Sequence, residues 1–175
     1  MRWACALTMV STVALAGCGE EDPSPFVNEM AWQVYCASGC GTTETHNVTG
    51  LDKDSGLSVS CTVTAANTSF SVTDESKGGF DTIQVTGNPD TADCTVTVRE
   101  GGVEYRDSCT NTPGLGVPGG GCTFTGEATS GEEFMGSVTC TNMQQAGEGN
   151  NAIARTLGAG AAVGGPVNID ISNCK

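Results

Sequence analysis

The chain has 175 residues, with 20 acidic and 7 basic side chains, a net charge of −13 and only 5% aromatic residues. Nucleic acid and anionic lipid headgroups are disfavoured partners for such a surface, because every contact would bring like charges together. Its 10 cysteines make crosslinking the first structural question.

The chain opens on a short basic and apolar leader. Arg2 and the free amino group precede WACALTMVSTVA, an apolar run shorter than the ~20 residues of a membrane-spanning helix. Small residues close it, as in a secretory signal. The tetrad Leu15-Ala16-Gly17-Cys18 resembles the lipobox of bacterial lipoproteins. That resemblance covers residues 1–18 alone. It implies a signal peptide over 1–17, cleavage before Cys18, and fatty acyl chains, palmitate among them, on the new amino group and thiol. Stable anchoring takes more than one chain, each buried CH₂ contributing about 0.8 kcal/mol. The implied location is the bacterial cell envelope, on the outer membrane if the cell is Gram-negative, with the domain extracytoplasmic. Residues 18–25 then form a lipidated cysteine and an acidic tether carrying Glu20, Glu21 and Asp22. At 3.3–3.6 Å per residue this tether reaches about 25 Å, so the domain of residues 26–175 sits close to the bilayer.

Ser24 suits a helix N-cap and Pro25 a first helical position, while Val27, Met30, Ala31, Val34 and Tyr35 recur at helical spacing. This predicts a short N-terminal helix over 25–37, ended by Gly39, with WQVYC as an edge strand the alternative. GTTETHNVTG reads as a polar loop holding the single histidine, His46. In DKDSG, Asp52 and Asp54 stand two apart, like the start of an oxygen-rich calcium loop. The later glycine and glutamate of an EF-hand are missing. These two are the candidate metal ligands, and a plain acidic turn is the alternative.

From Leu57 onward the pattern is alternation. LSVSCTVTA places Leu57, Val59, Cys61, Val63 and Ala65 on one face and hydroxyl side chains on the other. CTVTVRE repeats this with Cys94, Val96 and Val98, and CTFTGEA with Cys122 and Phe124. The threonines are β-branched strand formers on a solvated face, and the cysteines belong to the buried one. GFDTIQVTG (79–87) adds a strand, 111–121 a Gly/Pro-rich connection, and MQQAGEGNN (143–151) a loop. AIARTL and VNIDISNC form a late strand pair.

Cys5 leaves with the leader, and an even set of eight remains: Cys36, Cys40, Cys61, Cys94, Cys109, Cys122, Cys140 and Cys174. In an exported chain this reads as four disulfides. No Cys-x-x-Cys pair accompanies the lone histidine, so zinc-type spacing is missing. A two-residue turn at Gly101-Gly102 places Arg99 opposite Glu104, Val98 opposite Tyr105 and Cys94 opposite Cys109. A hairpin centred on Gly131 places Phe124 opposite Val138, Ala128 opposite Phe134 and Cys122 opposite Cys140. Directly opposed Cα atoms fall inside the disulfide window. The first hairpin also sets Val96 against Asp107, which argues for a bulge there or an incompletely buried face. Bridges from Cys94 or Cys109 across to Cys61 or Cys174 are therefore the alternative. A turn at Asn67-Thr68 leaves Cys61 facing Asp74, so Cys61, Cys36, Cys40 and Cys174 make up the remaining set.

The fold class expected is all-β: a disulfide-rich antiparallel β-sandwich with a short N-terminal helix. No catalytic constellation stands out. His46 lacks a Gly-x-Ser-x-Gly partner, and Glu100, Glu104, Glu132 and Glu133 read as solvated turn residues. The expected role is a non-catalytic, membrane-anchored envelope lipoprotein, structural or binding, without a cofactor. Its partners are the membrane, through acyl chains on Cys18, and an envelope protein or glycan, not nucleic acid. The alternative is a small secreted-type hydrolase or carbohydrate-binding domain on the same scaffold. Its sugar cleft would draw on Trp32, Tyr35 and Tyr105.

Overall fold

The computed structural model describes residues 24–36, 45–51, 56–76, 80–91, 93–110, 120–129, 131–147, 155–159 and 165–175. These form β1 (Phe26–Cys36), β2 (His46–Leu51), β3 (Leu57–Val63), β4 (Thr68–Asp74), β5 (Asp81–Asn88), β6 (Asp93–Glu100), β7 (Val103–Ser108), β8 (Cys122–Thr129), β9 (Glu133–Gln145), β10 (Arg155–Gly158) and β11 (Val167–Ser172). No helix occurs among the described residues.

Alternation dictates the central strands. β3 buries Leu57, Val59, Cys61 and Val63 and exposes the serines and threonine between them. β4, β5 and β6 follow with Phe70 and Val72, Ile83 and Val85, then Cys94, Val96 and Val98. All pairings are antiparallel, in the order β10-β1-β11-β9-β7-β6-β5-β4-β3, with β2 on β1 and β8 on β9. The 13-residue β9 pairs with β8 and β11 through its first half and with β7 at Gln144 and Gln145. It thus joins two groups of strands. Their inner faces meet where Phe70 of β4 approaches Phe124 of β8, at 6.5 Å between ring centroids, and Phe134 of β9, at 6.0 Å.

Both glycine-centred hairpins keep the expected register. Arg99 faces Glu104 and Val98 faces Tyr105; Phe124 faces Val138 and Ala128 faces Phe134. Cys94–Cys109 and Cys122–Cys140 are disulfides, with Cα atoms 4.9 and 4.0 Å apart. Cys61 bonds to Cys174 and Cys36 is also disulfide-bonded, while Cys40 lies outside the described residues. No bulge accompanies Val96–Asp107: the ladder runs unbroken from Thr95–Ser108 to Glu100–Val103.

Four expectations are corrected. Residues 26–36 are strand, not helix. Register shifts beside Val27 and Glu29 let Val27 and Met30 both face inward three residues apart, after which Trp32 and Val34 resume a period of two. A β-bulge thus reproduces helical spacing. The β3–β4 turn lies at Thr64–Asn67, closed by hydrogen bonds between these two residues, so Cys61 faces Phe70 instead of Asp74. Met143–Gln145 extend β9 instead of starting a loop, and Met143 is fully buried. Finally, β10 and β11 do not pair with each other. Both run antiparallel to β1, against Gln33–Cys36 and Phe26–Met30 respectively, and lie end to end between β1 and β9.

Candidate functional site

Of the residues singled out from sequence, Cys18, Asp52 and Asp54 lie outside the described residues. Glu132 and Glu133 border an open depression of about 630 Å³ with Ser172, Asn173 and Lys175, a surface without aromatic lining. Glu104 receives a charge-assisted hydrogen bond from Arg99 at 2.6 Å and pairs with Arg106; the Arg99 bond leads in holding its carboxyl below the usual range. The three aromatic residues a sugar platform would need do not share an exposed face. Trp32 is buried, Tyr35 bonds the Ala159 carbonyl through its hydroxyl, and Arg155 covers the Tyr105 ring at 4.6 Å.

His46 departs most from expectation. It is the first residue of β2 and only 1% exposed. Its ring stacks on Trp32 of β1, centroids 4.7 Å apart, at the strand position directly opposite. Nδ1 lies 3.0 Å from Asp74 Oδ2, and Nε2 lies 3.7 Å from Asp81 Oδ2. Asp74 ends β4 and Asp81 begins β5, and the two are direct cross-strand partners on the inward face. Asp74 Oδ1 accepts from the Ser76 amide and hydroxyl, at 2.9 and 2.5 Å; Asp81 Oδ1 accepts from the Gly101 amide at 2.8 Å. Burial raises the Asp74 carboxyl, but the bonds from Ser76 and His46 outweigh it and hold the group below its ordinary value. Sequence reading missed this cluster because its members are distant in the chain. One signal was present: Asp74 shares the parity of Phe70 and Val72, and Asp81 that of Ile83 and Val85. Two inward-facing acids require a buried counter-charge.

A third buried acid, Asp107, has a carboxyl oxygen within 4.8 Å of the sulfurs of Cys122 and Cys140. Both sulfurs are spent in a disulfide, so the group is no metal centre in this state. Asp107 Oδ1 accepts the Ser108 amide at 2.8 Å, and a Cβ on Gly121 would lie 2.3 Å from Oδ2, so glycine is required there. Burial pushes the Asp107 carboxyl above its ordinary value, against the pull of the Ser108, Gly121 and Asn142 amides. With its folded pKa above the unfolded one, the folded chain holds the extra proton between the two values. The group therefore favours folding at low pH, and that contribution is lost as pH rises through the folded pKa. Asp107→Asn should remove this slope. Urea unfolding at pH 4, 5.5 and 7 should show the variant gaining on the parent as pH rises, whatever constant offset the amide introduces. Parallel stability curves would contradict the assignment.

The outward face of β3–β7 is polar and in register. One row runs Ser58, Thr73, Thr82, Arg99, Glu104; the next runs Ser60, Ser71, Gln84, Thr97, Arg106. Hydroxyls bond across strands at Thr73–Thr82 (2.9 Å) and Ser69–Thr86 (3.1 Å). No protein-family model, curated protein or solved structure matches the chain.

Proposed function

We propose that the chain is a non-catalytic lipoprotein of the bacterial cell envelope, anchored through acyl chains on Cys18 and presenting a disulfide-stapled β-sandwich in a structural or binding role. The observation that carries this reading is the state of the cysteines. Cys36, Cys61, Cys94, Cys109, Cys122, Cys140 and Cys174 are all disulfide-bonded, and disulfides form and persist in oxidising compartments outside the cytoplasm. The meeting of the two strand groups at Phe70, Phe124 and Phe134 supports a sandwich. The hydroxyl-rich outer face supports contact with an envelope protein or glycan through hydrogen bonds.

Cys18→Ser tests the anchor. In a bacterial host fed a labelled fatty acid, the parent should carry label and sediment with membranes. The variant should lose the label and partition into the soluble extracytoplasmic fraction. Equal labelling of both would sink the lipoprotein reading.

A further inference from the structure

We propose that His46 Nε2 and Asp81 Oδ2 are the protein ligands of a divalent transition-metal site of the Zn²⁺, Co²⁺ or Ni²⁺ class, with Asp74 as the positioning carboxylate. Asp74 Oδ1 accepts two hydrogen bonds from Ser76, so the carboxylate acts as an acceptor throughout, and Nδ1, 3.0 Å from Oδ2, is the donor. In the neutral ring that keeps its proton on Nδ1, Nε2 presents a lone pair. A carboxylate fixing the tautomer and plane of an imidazole in this way is the usual outer partner of a metal-ligating histidine. Trp32, stacked on the ring at 4.7 Å, fixes the same plane from the side.

Nε2 is buried and has no hydrogen-bond partner. It faces Asp81 Oδ2 across 3.7 Å, beyond hydrogen-bond length. Asp81 Oδ1 is already engaged by the Gly101 amide. With the ring neutral, two acceptor atoms confront each other in a place largely closed to solvent, which is unfavourable unless a proton or a metal ion lies between them. Nitrogen and oxygen ligands of one tetrahedral zinc lie roughly 3.4 Å apart, given bonds of about 2.0–2.2 Å. The observed gap needs a closure of only a few tenths of an ångström. Charge gives the same answer. Asp74 and Asp81 are opposed on adjacent strands, where like charges destabilise. An imidazolium would neutralise one of them, whereas a dication beside a neutral ring neutralises both. The remaining coordination positions fall to water entering on the Asp81 side, where the side chain is 12% exposed.

His46 is the chain's only histidine, so ¹⁵N-labelled protein gives one set of imidazole signals. The full chain in detergent micelles would be titrated with ZnCl₂. Expected are an Nδ1–H tautomer before metal, a shift of the Nε2 resonance that saturates at one equivalent, and a raised Tm. Asp81→Asn should lose at least tenfold in zinc affinity, and Asp74→Asn about 10–100-fold, as for other outer-shell partners. A proton on Nε2 that persists unmoved under excess zinc overturns the proposal, as does one-equivalent binding that survives His46→Gln. Should the His46 variant fail to fold, the parent spectrum decides alone.

Discussion

Phe134→Ala should lower the free energy of unfolding by about 3–5 kcal/mol, the usual cost of deleting a buried phenyl ring. The ring is fully buried on β9, between Ala128 of β8 and Ile171 of β11. It lies 5.4 Å from Phe124 and 6.0 Å from Phe70, so it belongs to the contact between the two groups of strands. The cavity cannot collapse easily, because the neighbours on both sides are held by ladders. The ring occupies space that Gly126 and Gly136, paired with each other, leave open. A Cβ on Gly136 would meet Phe134 Cζ at 2.6 Å and the Thr125 carbonyl at 2.3 Å. Gly136→Ala should therefore overpack the site, costing about 1–3 kcal/mol. In the Phe134→Ala background it should cost less, because one of the two obstacles is gone. Urea unfolding of the two single variants and the double variant measures the coupling. Strict additivity would mean that the glycines do not make room for the ring.

What the sequence disclosed and what it hid follow one physical division. Strand faces and hairpin registers are local, so Gly101-Gly102 and Gly131 placed four cysteines in bonded pairs from spacing alone. The β3–β4 turn was misplaced because Thr64 and Asn67 close it with their own hydrogen bonds and no glycine marks it. Leu57, Val59, Cys61 and Val63 stay inward despite that error, because the partner of Cys61 moves from Asp74 to Phe70, an even step, whereas Ala65 falls in the turn and is exposed. The bulge in β1 is not local in the same sense: it is imposed by pairing with β2 and β11, and in the bare sequence it resembles a helix. Buried polar residues were the least legible. His46 takes its environment from Trp32, Asp74 and Asp81, and no short window contains all four. Asp107 faced Val96 as expected, yet the remedy was neither bulge nor exposure. Burial against backbone amides had no sequence signal beyond its parity.

Removing the Cys61–Cys174 crosslink should be the most damaging deletion among the three disulfides whose two cysteines are both described. It closes a loop of 113 residues, whereas Cys94–Cys109 closes one of 15. In the chain-entropy model these correspond to about 5 and about 3 kcal/mol, a difference of roughly 2 kcal/mol that loop length alone dictates. Cys61 sits on β3, the last strand in the pairing order, and Cys174 follows β11, third from the opposite end of that order. The bond therefore fastens strands that no ladder joins directly. Once it is gone, few contacts hold the segment that follows β11. The Lys175 amide donates to the Cys61 carbonyl at 3.0 Å, the Val63 amide to the Lys175 carbonyl at 2.8 Å, and the Cys174 amide to the Glu132 carbonyl at 3.1 Å. These bonds cover part of the outer edge of β3, which would otherwise offer unpaired backbone groups to another chain. Paired alanine replacements, Cys61→Ala with Cys174→Ala and Cys94→Ala with Cys109→Ala, leave no free thiol to rearrange. For a chain of this size the first pair should lower Tm by about 10–20 °C, given 2–4 °C per kcal/mol. The Val63 amide should also lose hydrogen-exchange protection relative to Val72 in the adjoining strand. Equal losses from the two pairs would show that packing of the buried sulfurs, and not the length of chain they close, sets what each crosslink contributes.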